Sequence, residues 1–88
     1  MKATLYLSAA YGGYTTVLSR EVNLPALPAL DNVFIISGPG MNRLASIVQI
    51  KWELLGNVKD PSLVIELFLQ VTSKEELDTF SKIGWDLI

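Results

Sequence analysis

The stretch Ser46-Ile47-Val48-Gln49-Ile50-Lys51-Trp52-Glu53-Leu54-Leu55 and its later counterpart, Leu63-Val64-Ile65-Glu66-Leu67-Phe68-Leu69-Gln70-Val71-Thr72, decide the fold. In the first, Ser46, Val48, Ile50, Trp52 and Leu54 alternate with Ile47, Gln49, Lys51, Glu53 and Leu55. A period of two marks a strand buried on one face. The second run alternates Leu63, Ile65, Leu67, Leu69 and Val71 with a more mixed set and is rich in strand-favouring residues. Together they predict a long antiparallel hairpin across the loop from Gly56 to Ser62. Facing the dry sets together leaves two registers. One opposes Trp52 to Ile65, Ile50 to Leu67, Val48 to Leu69 and Lys51 to Glu66. The other opposes Glu53 to Glu66, and directly opposed like charges are unfavourable on a sheet. The first register is therefore expected.

Eighty-eight residues make one domain, near the size at which a single core is barely sufficient. The chain has no cysteine, so no disulfide or thiolate zinc site can staple it. An apolar fraction of 50% and a mean hydropathy of +0.37 are high for so small a body. Some apolar surface should stay exposed, and a contiguous exposed patch marks a partner site. With 7 basic and 9 acidic residues spread along the chain, there is no basic cluster to neutralise phosphates, so no nucleic-acid partner is expected. No uncharged apolar run is long enough to cross a bilayer, so no membrane partner is expected either.

Outward from the central hairpin, Lys2 to Ala10 alternates Ala3, Leu5, Leu7 and Ala9 with Thr4, Tyr6 and Ser8. This is a strand in preference to a secretion signal, because its apolar part is short and interrupted. A cytoplasmic address follows. Gly12-Gly13 supplies the positive φ angles of a tight turn, and Tyr14 to Leu24 returns. Opposing Tyr11 to Tyr14 sets Leu7 against Leu18, Ala3 against Val22 and Leu5 against Arg20. Arg20 then falls among apolar side chains, and a bulge or a snorkelling stem is expected to relieve it. Leu24-Pro25-Ala26-Leu27-Pro28-Ala29-Leu30 reads as an extended crossover whose leucines pack inward. Val33-Phe34-Ile35-Ile36 is a short strand ended by Ser37-Gly38-Pro39-Gly40. The glycines with Arg43 invite comparison with a phosphate cradle. A plain turn fits better, because a strand and not a helix follows.

Ser73-Lys74-Glu75-Glu76 is a capping box, so a helix starts at about Lys74. Leu77, Phe80 and Ile83 form its apolar stripe, Lys82 suits its end and Gly84 stops it. Trp85 to Ile88 is expected to add an edge strand.

The chain has no histidine, which removes the commonest general base and the usual nitrogen ligand for metals. No metal, cofactor or catalytic residue is assigned. Glu75, Glu76 and Asp78 are accounted for by the helix start. Arg20 and Arg43, with Tyr11 and Tyr14 (and Tyr6), are the candidates for a ligand site, since arginine can hold a carboxylate or phosphate and tyrosine offers ring and hydroxyl.

These observations predict an α+β domain, a mainly antiparallel sheet of four to five strands with one C-terminal helix on a face. The expected function is a small non-enzymatic binding or protein-interaction module, self-associating as a homodimer. The second sheet face needs cover, and Phe68, Val64, Ile47 and Leu55, with Lys51 and Glu66 at the rim, are its expected interface. The alternatives are a small ligand-binding protein or enzyme acting on an anionic molecule through Arg20 and Arg43, or an antitoxin-like or regulatory partner of another protein.

Overall fold

The structure, a computed structural model, describes residues 1–54, 56 and 59–88. Leu55, expected on the second face, lies outside the described residues, as does part of the loop that follows it.

Among the described residues, six strands and one helix follow the chain as β1 (Lys2–Tyr11), β2 (Tyr14–Asn23), β3 (Val33–Gly38), β4 (Met41–Glu53), β5 (Ser62–Gln70), α1 (Lys74–Lys82) and β6 (Asp86–Leu87). They form one sheet in the order β3-β4-β5-β1-β2-β6. The α+β class and the C-terminal helix are as expected. The sheet is larger and mixed, because β1 runs parallel to β5, with Leu5 opposite Ile65 and Leu7 opposite Leu67. Both strands carry one fully apolar face, and joining them makes one continuous dry surface.

The sheet curls. Arg20 and Val22 of β2 line the same cavity of about 320 Å³ as Ile35 and Ile36 of β3, although β4, β5 and β1 lie between those strands in the sheet. The crossover from β2 to β3 spans this gap. Its leucines do not all turn inward: Leu24 packs on the core, while Leu27 and Leu30 are exposed. Leu24 is held because its amide and carbonyl exchange hydrogen bonds with Met1, at 2.6 and 2.9 Å. Pro25 has no donor with which to extend that ladder.

The first hairpin has the expected register throughout, from Tyr11 opposite Tyr14 to Ala3 opposite Val22. Gly12 and Gly13 have φ of +57° and +83°, as a tight turn with two left-handed residues requires. Leu5 faces Arg20 without a bulge. The guanidinium instead reaches the end of α1 and donates to the Ile83 carbonyl at 3.0 Å.

The β4–β5 hairpin corrects the expected register. Ile50 opposes Ile65, Lys51 opposes Val64 and Trp52 opposes Leu63, two residues away from the predicted pairing. β4 starts earlier than its alternation suggests, at Met41, because Pro39-Gly40 turns the chain tightly and pairs Gly38 with Met41. That hairpin turns Met41, Ala45 and Ile47 to the core. A bulge between Ile47 and Gln49 then shifts the phase by one residue, so that Ile50 again packs on the core. Two expectations reverse in consequence. Ile47, placed by sequence on the second face, is 8% exposed in the core, and Val48, placed in the dry set, is 62% exposed. The expected Lys51–Glu66 contact survives diagonally, at 3.8 Å.

The core lies between the inner sheet face and α1. Leu7, Leu18, Leu63, Ile65 and Leu67 share one buried cluster with Phe80, the one wholly buried residue of the helix. Ser73 caps α1 by accepting from the Glu76 amide at 3.3 Å. The Glu76 carboxylate does not return to Ser73 as a full capping box would have it. It pairs with Arg43 at 2.7 Å and accepts from the Thr72 hydroxyl at 3.3 Å, tying the helix start to β4. At the other end Gly84, at φ +106°, lets the Trp85 amide reach the Phe80 carbonyl at 3.1 Å, and both side chains are buried. Trp85 leads into β6, which adds to β2 as the edge strand the tail was expected to form.

Candidate functional site: the open face of the sheet

Because successive side chains alternate across a strand, every residue that feeds the core has a neighbour on the opposite face. α1 covers only the inner face. On the outer face one cross-strand row runs Val33, Ser46, Phe68, Ser8 and Val17, through five strands. Ile88 adjoins its end, its amide donating to the Val17 carbonyl at 3.1 Å. A parallel row begins with Ile35 opposite Leu44. Val33, Ile35, Leu44, Val48 and Ile88 are all exposed, and Phe68 is 42% exposed.

An open groove of about 600 Å³ crosses the middle of this face. Its floor is Tyr6, Ser8 and Phe68, with Val17 and Ile88 towards β6 and the bulged Val48 towards β4. Lys51, Glu53 and Glu66 stand together at one end, with Lys51 and Glu66 in contact. The arrangement is a mixed floor, with Phe68 beside the hydroxyls of Tyr6 and Ser8, apolar flanks at Val17, Val48 and Ile88, and a charged rim, a surface suited to pairing with another of the same character.

Of the interface residues expected from the sequence, Phe68, Lys51 and Glu66 come together here. Val64 shares this face but is buried, and Ile47 is on the core side. The expected ligand residues do not assemble. Arg20 binds the last turn of α1, while Arg43 sits at its first turn, donating to Glu76 and to the Gln70 carbonyl. Tyr11 and Tyr14 flank the β1–β2 turn and oppose one another. Val33 and Ile35 were not legible as surface residues, because a short wholly apolar run shows no alternation; Val48 was placed in the dry set, and Leu44 preceded the alternating run. The off-phase positions Tyr6 and Ser8 were legible from the alternation of β1.

Among the described residues no three acidic side chains are grouped so as to hold a metal ion, and no helix is long and apolar enough to cross a membrane. Comparison with protein-family models, with curated proteins and with solved structures finds no match.

Proposed function

We propose that this chain is a small protein-interaction module that self-associates through the open face of its sheet. The observation that carries this is the row centred on Phe68, apolar at Val33, Phe68 and Val17 with Ser46 and Ser8 between them, which crosses the sheet on the face that α1 leaves bare. Apolar side chains gathered on one face in water cost solubility unless something covers them. A second copy related by a two-fold axis brings a surface of the same apolar character, with Phe68 near the centre and Lys51 and Glu66 at the rim. The anionic-ligand alternative draws less support, since Arg20 and Arg43 are engaged at opposite ends of α1.

Sedimentation equilibrium over a wide concentration range tests the proposal. The wild type is expected to sediment as more than one chain, and Phe68→Glu to halve the mass of the associated species, because its carboxylate would be buried against its symmetry mate without a partner. A single-chain mass at every concentration would sink the idea.

A further inference from the structure

β3 lies beside β4 only from Met41 to Ser46. Beyond Ser46 the outer edge of β4 has no neighbouring strand, and no other backbone group bonds to it among the described residues. Unpaired strand edges template the addition of another strand, and proteins commonly blunt them with proline, charge or a covering loop. This edge carries no proline, its two charges, Lys51 and Glu53, are of opposite sign and so can pair across a second copy, and next to them Trp52 is 54% and Leu54 66% exposed. Neither side chain belongs to the groove on the open face.

We propose that the edge from Ile50 to Leu54 pairs antiparallel with the same edge of a second copy, about a two-fold axis at Trp52. The order of charges selects this register. Centring on Ile50 sets the bulged Val48 opposite Trp52, where the ladder is irregular. Centring on Lys51 opposes the two lysines. Centring on Trp52 places Lys51 opposite Glu53 of the second copy, twice, on one face. On the other face it stacks Trp52 on its own copy, with Ile50 opposite Leu54 on either side. The paired residues all follow the bulge. Lys51 then stands between Glu66 of its own chain and Glu53 of the other. The contact is isologous and closes on itself; it shares Lys51 and Glu53 with the charged end of the open-face groove, while Ile50, Trp52 and Leu54 lie outside that groove. A chain using both contacts assembles beyond two copies, and closes at four where the two axes intersect at right angles.

The test is run in the Phe68→Glu background, where only the edge contact remains, with far-UV circular dichroism and the denaturation midpoint confirming that each variant is folded. F68E alone is expected to sediment as two chains. Adding K51E opposes carboxylates twice and adding E53K opposes ammonium groups twice, so each should raise the dissociation constant roughly tenfold or more. Mixed in equal amounts, the K51E and E53K proteins complement one another at both pairs, and native mass spectrometry should show a species with one chain of each. The K51E/E53K combination, which keeps the net charge and swaps the pairs, should associate again by itself. An F68E protein that is a single chain, a K51E/F68E protein that still associates, or a mixture without the mixed species overturns the proposal. With Phe68 intact, W52K, which opposes two ammonium groups at the axis and lies outside the open-face groove, is expected to retain two chains. If it falls to one, the open-face contact of the proposed function fails while the edge contact stands.

Discussion

The two faces of the sheet are made from the same strands, and often from adjacent residues, yet they solve opposite problems. Leu67 and Leu69 are buried beneath α1, while Phe68 between them stands on the bare face. The inner face has a helix to exclude water from it. The outer face carries apolar side chains with hydroxyls among them, at Ser8, Ser46 and Tyr6, which lets it remain in water and still favour a partner. Apolarity alone therefore does not identify a core position here. What identifies it is which face α1 covers.

The largest expected effect that would break this contrast is on the inner face. Phe80→Ala empties the centre of the core and should cost about 3 to 5 kcal/mol, read from the urea midpoint at constant m-value. A loss below 1 kcal/mol would mean that α1 does not seal that face. Ser73→Ala acts on the same cover indirectly, through the start of the helix, and should cost roughly 0.5 to 2 kcal/mol in the same measurement. An unchanged midpoint would place the helix start elsewhere. The smallest effect sharpens the other side: in dilute, single-chain protein, Phe68→Ala should shift stability by no more than about 0.5 kcal/mol, as for an ordinary surface substitution. If it costs as much as Phe80→Ala, the outer face is a second core and the contrast is false.

The two hairpins show why legibility differs along the chain. Between β1 and β2, two glycines close a tight turn, and such a turn leaves one register to the strands, so every opposed pair from Tyr11 and Tyr14 outward could be read. Between β4 and β5 the connection is long and places no such restraint. The choice between registers then rested on charge pairs, which are worth only about 0.2 to 1 kcal/mol on a sheet surface. Burial of Ile47 outweighs that, and the chain takes up the difference in the bulge at Val48. Lys51 and Glu66 still meet because long side chains reach a diagonal neighbour. The candidate site was partly legible for the same reason. Phe68 and Glu66 lie on a strand whose phase never breaks, whereas Ile47 and Val48 flank the bulge that exchanges their faces.

Local chemistry in the sequence by itself determined the capped start of α1 at Ser73, its stop at Gly84, the tight β1–β2 turn and the strand character of both apolar runs. Each of these is settled by neighbours along the chain, within the reach of a hydrogen bond or a backbone angle. Only the tertiary structure decided that β1 joins β5 in parallel, that β4 extends back to Met41 and breaks phase at Val48, and that Arg20 and Arg43 serve the two ends of the helix. Those outcomes depend on which surfaces remain to be buried once the local elements exist, a balance struck across the whole molecule that no window of the sequence contains.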